Sequence, residues 1–567
     1  MIWILPLVVV GLAVLLSIPL GGYMARVLDR GSASNWFERW IDTGPQKARQ
    51  YCLSMLYLSM IAFFCGFAVL AYQPHLPLNP DGKGNLSPST IFNTASSFLT
   101  NTNLQHYAGE QHLSYFSQLF FITWKQFVTP AIGLAALLAV IRGLRGDEHM
   151  GNLYLDVWRG VLYVLIPLSL ILAILLIAAG MPMTLEGAAK VTTLDGSEQT
   201  IARGPVAAVA AIKQLGTNGG GFFGVNSAHP FENPNAWSNL LENIAILLIP
   251  MACVVLFGEM LRQPGQGVVI YSVMMVFLVG FLSWAIVTDT AAPNPGLAGL
   301  NVAQPLGNLE GKELRFGPAA GATWATSTTC TSNGSVNCMH DSLNPLAALT
   351  PLGGMWLNCV FGGIGVGMIN FLVYLIVAVF LAGLMVGRTP EYLGKKVEAR
   401  EMKLAVMALL IHPLLVLAPT GLAAVSDWGS GATSNPGAHG LTQMLYEFTS
   451  SAANNGSGFE GLADGIASAE DAARPENADA ARRGWVWDVS TALVMLFGRY
   501  VPIIAPILLA ASLARKKRTP FTTGTLRTDT LTFGLVLLGT IVLVGALLFL
   551  PVAALGPVAE ALGPMPR

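Results

Sequence analysis

Ten apolar runs of roughly 20 residues dictate what this chain can become. They lie at residues 2–20 and near residues 51–72, 117–141, 157–180, 237–262, 268–290, 357–387, 402–425, 486–513 and 529–556. A run of that length matches the hydrocarbon thickness of a bilayer when helical. Inside lipid every backbone N–H and C=O must be satisfied within the protein, which leaves helices as the available form for such runs. The expected fold is therefore all-α and polytopic, with about ten transmembrane helices. Charged residues make up only 11% of the chain, less than half the share of a soluble domain. The net charge of −1 gives no footing for nucleic acid. The first run has no charge before it and no small-residue cleavage site, so it reads as a retained helix rather than a leader.

Lys and Arg orient the bundle. They collect in five connections: Arg26, Arg30, Arg39, Lys47 and Arg49; Arg142, Arg145 and Arg159; Arg262; Arg388, Lys395, Lys396, Arg400 and Lys403; and Lys516, Lys517, Arg518 and Arg527. With ten spans all five fall on one side, which the positive-inside rule makes cytoplasmic. Both termini and the polar connections then face outward.

Four of those outward segments share one design. They read PSTIFNTASSFLTNTNLQ from residue 88, PVAAVAAIKQLGTNGGGF from 205, ATWATSTTCTSNGSVN from 322 and GLTQMLYEFTSSAANNGSGF from 440. Each is a short helix-compatible run that ends in Asn with Gly or Asn and is followed by another span. The unit of span, short helix, Asn/Gly loop and span thus occurs four times, and such repetition outranks any single motif. The second copy holds a G-x-G-x-x-G at Gly219, Gly221 and Gly224. A dinucleotide loop needs a preceding strand, and AVAAIKQL is a helical run.

A helix of about ten residues cannot cross a bilayer, so each copy re-enters from one side. Irregular backbone at that depth survives where it lines water or protein. Gly, and after it Asn, adopt the left-handed backbone that turns carbonyls toward a common axis. Four such loops would present rings of carbonyl oxygens in place of an ion's water shell, and the negative C-terminal ends of the short helices would favour a cation. The competing reading, ordinary Gly/Asn surface turns, holds for any one loop better than for four equivalent ones.

The loops TNTNLQ, TNGGGFFG, TSNGSVN and NNGSGF, with GRTPEYLGKK at 387–396, resemble the potassium-binding subunits of Kdp-type ATP-driven potassium pumps (KdpA). Those subunits are relatives of the Trk, Ktr and HKT potassium transporters. The resemblance covers nearly the whole chain. It implies four membrane–pore–membrane repeats at 51–145, 146–264, 265–390 and 391–515. A first helix with its cytoplasmic loop (1–50) and a last helix (516–567) flank them. It implies a bacterial cytoplasmic membrane location and a potassium filter at Thr102, Asn103, Asn218, Gly219, Asn333, Gly334, Asn455 and Gly456, with Gln105 just beyond. The first copy departs from the pattern by carrying Asn103 where the others have Gly. Expected partners are a P-type ATPase subunit like KdpB and two small membrane subunits like KdpC and KdpF. Potassium is the cargo.

Two features near these loops invite a functional reading. FGGIGVGMIN at 361–370 puts Gly362, Gly363, Gly365 and Gly367 into the second span of the third repeat, either for close helix packing or as a break and hinge beneath the filter. Arg499 lies deep in a span, where a charge is costly. It either opposes ions passing straight through or ties two helices together. Lys125 is similarly placed, with no role to assign. Glu242 and Glu259 sit toward the ends of one span and are expected to reach the interfaces. His412 reads as a core or interface residue, and the charged stretch from Ala463 to Gly484 as a variable outer loop.

Cys52, Cys65, Cys253 and Cys359 fall in apolar runs and read as small core residues. Cys330 and Cys338 flank the third loop, where two free thiols or a disulfide are both open. No phosphate loop and no D-K-T-G occurs in the sequence, so any ATP hydrolysis belongs to another subunit. The alternatives are an autonomous Trk-type uptake protein, against which GRTPEYLGKK and the flanking helices speak, and a membrane-embedded enzyme. The enzyme would need clustered carboxylates or histidines at membrane depth.

Overall fold

The computed structural model describes residues 2–31, 33–291, 294, 304–520 and 527–563. Among these, ten helices are long and apolar enough to cross a membrane: Ile4–Leu28, Ala48–Ala71, Tyr115–Arg145, Leu153–Ala178, Ala236–Leu261, Pro264–Thr290, Val366–Met385, Ala399–Ala424, Pro475–Ala514 and Leu531–Leu562. The all-α, ten-span expectation is met, with one difference in the seventh. The run 357–387 is not one helix. Pro345–Leu357 ends at Asn358, residues 358–365 are non-helical, and Val366–Met385 continues the chain.

Between the two long helices of each unit sits a short one: Pro88–Leu99, Val206–Leu215, Pro318–Cys330 and Gly437–Ala453. At 1.5 Å per residue they span about 15–25 Å, less than the membrane core. Proline marks every start: Pro88 and Pro318 occupy the first turn, and Pro205 and Pro436 cap. Its fixed φ and missing N–H suit that position. These pore helices are buried although rich in Ser and Thr. Thr94, Thr326, Ser327 and Thr329 each donate back to the carbonyl four residues earlier, so these four buried hydroxyls are satisfied.

Burial separates inner from outer helices. The spans that follow each pore helix are 61–89% buried, and those that precede it 28–39%. The second spans therefore surround the centre and the first spans face outward. Ile4–Leu28 lies along Ala236–Leu261, where Gly21 allows close approach: a Cβ there would meet Val255 Cβ at 2.5 Å. The last helix packs on Val366–Met385 and Pro264–Thr290.

The basic connections meet at one end of the bundle. Arg142 pairs with Asp156 at 2.6 Å and Arg159 with Glu38 at 3.0 Å. Lys516 pairs with Glu401 at 2.7 Å, and Arg518 donates to the carbonyl of Arg145. Part of GRTPEYLGKK forms a hairpin, Glu391–Tyr392 against Lys395–Lys396. Its turn is Leu393–Gly394, both with positive φ, as a two-residue hairpin requires. Lys395 donates from there to the carbonyl of Leu144 at 2.9 Å, which ties this segment to the end of Tyr115–Arg145.

Candidate functional site

Every pore helix ends in the same way. The N–H groups of Thr102, Asn218, Asn333 and Asn455 donate to the carbonyls of Ser97, Lys213, Thr328 and Ser450, five residues back, at 2.8–3.1 Å. In each case the residue just before has left-handed φ: Asn101, Thr217, Ser332 and Asn454. This is the six-to-one helix cap. One residue further on, φ is positive again at Asn103 (56°), Gly219 (83°), Gly334 (97°) and Gly456 (97°). Alternating hand in this way turns successive peptide planes alike, and the pattern is the same in all four loops.

The loops touch in a ring. A Cβ built on Gly219 would lie 2.1 Å from the carbonyl oxygen of Asn333. On Gly334 it would lie 2.0 Å from that of Asn455, and on Gly456 2.0 Å from that of Thr102. Each glycine is therefore seated against the next loop's backbone, where no side chain fits. The remaining corner is built otherwise: a Cβ on Gly220 would lie 2.8 Å from Asn103 Cβ. Asn103 is buried, and neither atom of its side-chain amide has a hydrogen-bond partner.

The asparagine side chains brace the ring from outside. Asn333 donates to the carbonyls of Lys213 and Gln214, and Asn455 to that of Thr328. Both thereby clamp their loops to the end of the preceding pore helix. The amides of Asn218 and Asn101 meet at 2.6 Å, and Thr129 donates to Asn101. Gln105 is also engaged sideways, its amide meeting both N–H and C=O of Gly221.

The second loop is held by groups that the sequence pattern did not single out. Asn226 donates to the carbonyl of Gly219, and Gln126 to that of Gly220. Lys213 reaches Asn226, Ser227 and Glu232 at 2.5–2.7 Å, and Glu232 accepts from the N–H groups of Phe222 and Phe223. Glu242 does not reach an interface: it is fully buried and accepts from Gln214 and Ser227. The cause is the polar surround of the second loop: Gln214 at the end of the second pore helix and Ser227 beyond the loop offer two donors where lipid would offer none. A polar residue at membrane depth, such as Gln126, is itself a signal of function. The others carry none, because their partners are set by tertiary contact.

Beneath the ring lies the broken-helix loop. Gly362 N–H donates to the carbonyl of Cys330, Ile364 N–H to Thr217 Oγ1, and Ser332 Oγ to Asn358. Phe361, Gly362 and Gly365 have positive φ. Gly362 and Gly367 approach so closely that a Cβ on either would meet the other's Cα at 2.3 Å. Arg499 adjoins this loop. It is 5% exposed, donates to the carbonyl of Thr129 at 3.2 Å, and lies near Gly133, which touches the carbonyl of Ile364. No carboxylate among the described residues is within ion-pair distance of it.

On the other face a vestibule of about 720 Å³ opens over the ring, with Asn103, Gly334 and Gly456 in its floor and Glu447, Glu460 and Asp464 in its wall. Surrounding protein desolvates the Glu460 carboxyl and pushes it up to about 8, although the residue stays open to the vestibule, and the N–H groups of Asp341 and His340 that favour its charged form work against the rise. Burial also raises Asp464, to about 6, despite the nearby His106.

Among the remaining expectations, all six cysteines are free. Cys330 is not in a loop but is the last residue of the third pore helix. His412 is half-buried and bonded to the carbonyl of Met355. Lys125 is fully buried with no hydrogen-bond partner on Nζ, 5.2 Å from the Trp124 ring. The outer stretch beginning at Ala463 is helical from Ala478 onward, where it continues the last span of the fourth unit.

The family of potassium-transporting ATPase A subunits, KdpA, matches residues 7–562. The potassium-transporting ATPase potassium-binding subunit of Geobacillus kaustophilus (strain HTA426) is 45% identical over 563 residues, 97% of each chain. With a fourfold ring of pore loops and a match along nearly its whole length, the chain belongs to the KdpA family of potassium-transporting ATPase A subunits.

Proposed function

We propose that the ring of four loops is the potassium site, its ligands supplied chiefly by backbone carbonyls at Thr102, Asn103, Asn218, Gly219, Asn333, Gly334, Asn455 and Gly456, with Gln105 setting its rim. The chain is the non-catalytic, potassium-binding subunit of the Kdp ATPase, and hydrolysis belongs to its KdpB partner. The repeated alternation of backbone hand, closing into a ring without room for side chains, carries this reading. Carbonyl dipoles at fixed spacing replace the water shell of a cation of matching size, and four helix C-termini add negative potential.

In this reading the repeats run 51–145, 146–264, 265–390 and 391–515, flanked by 1–50 and 516–567. The vestibule and both termini face the extracytoplasmic side of a bacterial inner membrane, and the basic end faces the cytoplasm. Ions entering the ring meet Arg499 and the loop carrying Gly362, Gly363, Gly365 and Gly367. A guanidinium held only by a carbonyl keeps its field unneutralised, so it opposes straight passage and diverts ions toward the ATPase subunit. The glycines let the loop move aside. Subunits like KdpC and KdpF complete the complex.

Purifying the assembled complex and measuring potassium-stimulated ATP hydrolysis for Gly219→Ala, Gly334→Ala and Gly456→Ala tests the site. Loss of potassium affinity and of discrimination against sodium is expected. Wild-type values in all three variants would remove the loops from the ion path.

A further inference from the structure

His106 is buried behind Glu447 and Asp464 of the vestibule wall, with a division of labour between its ring nitrogens. Nδ1 is held by Asp488 at 2.7 Å, and Asp488 is itself fixed by Thr90 Oγ1 at 3.1 Å. Nε2 faces two carboxylate oxygens, Glu447 Oε1 at 3.4 Å and Asp464 Oδ2 at 3.6 Å. Those separations exceed a good N–H···O bond, which is 2.7–3.2 Å. They match the spacing between ligands around a tetrahedral zinc, about 3.3–3.4 Å for bonds of about 2.0–2.1 Å.

The three ligand atoms lie within 4.8 Å of one another. Three carboxylates converge on one imidazole here, more negative charge than a single proton neutralises. His106 and Glu447 are buried, while the Asp464 side chain is 28% exposed, which leaves an entry side and a fourth position for water. The Asp488–imidazole contact is the orienting bond that fixes a metal-binding histidine in its tautomer.

We propose that His106 Nε2, Glu447 and Asp464 form a binding site for a divalent transition ion of the zinc class, oriented by Asp488. Binding replaces the Nε2 proton, which leaves to solvent. Nitrogen with two carboxylates suits zinc, whereas magnesium demands octahedral oxygen ligands. Glu447 and Asp464 share the vestibule with Gly334 and Gly456, so a bound dication repels potassium approaching the ring. This second effect rests on the loops being the potassium site. Zinc retention does not.

The test uses the purified complex. Zinc retained after buffered equilibration is measured by elemental analysis, and the potassium half-saturation of ATP hydrolysis is measured with and without zinc. Wild-type complex is expected to hold one zinc more than His106→Ala, and Asp488→Asn to weaken that zinc by about 10–100-fold. Zinc should raise the wild-type potassium half-saturation several-fold and leave that of His106→Ala unmoved. Should His106→Ala fail to assemble, Asp464→Asn, altered at the partly exposed ligand, serves in its place. Equal zinc retention in wild type and ligand variants overturns the site. Retention without any effect on potassium upholds the metal site and counts against the loops as the ion's entry.

Discussion

Asn226 donates its side-chain amide to the carbonyl of Gly219 at 2.6 Å while its own oxygen accepts from Lys213 at 2.7 Å. The second loop thus engages one carbonyl of the ring with a protein donor, and that donor is set by the buried Lys213–Glu232 pair at 2.5 Å. Asn226→Ala removes this restraint without unpairing either charge. Loss of a hydrogen bond of this kind costs about 0.5–1.5 kcal/mol. Discrimination between potassium and sodium, read from half-saturation of ATP hydrolysis, should change by up to about tenfold. Unchanged discrimination would make Asn226 a brace with no influence on the ion.

Gly334 and Asn103 occupy equivalent places and predict opposite outcomes. Gly334→Ala brings a Cβ within 2.0 Å of the carbonyl of Asn455 at φ of +97°, so the neighbouring loop must shift. Potassium affinity should fall at least about tenfold, beyond the roughly 1–2 kcal/mol that left-handed backbone alone costs. Asn103→Gly removes a side chain without partners and keeps φ accessible, so assembly and potassium binding should survive, with altered preference among monovalent ions. Flux and hydrolysis assays with potassium, rubidium and sodium distinguish the two.

Arg499→Met separates charge from packing. An electrostatic role predicts an assembled complex with altered potassium dependence and fewer ions moved per ATP. A role confined to tethering the carbonyl of Thr129 predicts lower thermal stability with normal potassium dependence in what survives. Hydrolysis and potassium uptake measured on the same preparation decide it.

Glu460 gives the pH dependence a sign. Its carboxyl sits near 8 in the fold, above the usual 4.5, so the folded state holds the proton more tightly and loses stability as pH rises from about 4.5 through 8. Above pH 8 it ionises beside Asp341 and Tyr446 and adds a negative charge to the vestibule. Potassium half-saturation should fall by about threefold or more between pH 7 and 9, and Glu460→Gln should flatten that change. A wild-type slope surviving in the variant would assign it elsewhere.

The cysteines give a direct chemical check. Alkylation of the denatured, unreduced chain should modify all six thiols, and a mass two units low over the peptides of Cys330 and Cys338 would contradict the fold at the third pore helix.

What was legible in the sequence followed from length and repetition. Span lengths, short re-entrant helices and Asn/Gly loops each have a local cause, and the ten helices and the four loop positions appear where that cause places them. The break at 358–365 was signalled by Gly362, Gly363, Gly365 and Gly367, though its extent was not. It is stabilised by Thr217 of the second loop and Cys330 at the end of the third pore helix, both distant in sequence. Glu242 misled because an acidic residue near a span end usually snorkels, and nothing local reveals the donors Gln214 and Ser227. Asn226, Glu447 and His106 were silent for the same reason: His106 and Asp488 meet across 382 residues of sequence.

The corner at Asn103 shows what covalent continuity permits. A pore assembled from four identical chains must accept every substitution four times over, so a side chain that relieves one corner crowds the other three. Here the four corners are spelled separately, and one can hold an asparagine while the rest remain glycine. In the proposed potassium site, selectivity is adjustable one corner at a time, by single residues, without asking the whole ring to change.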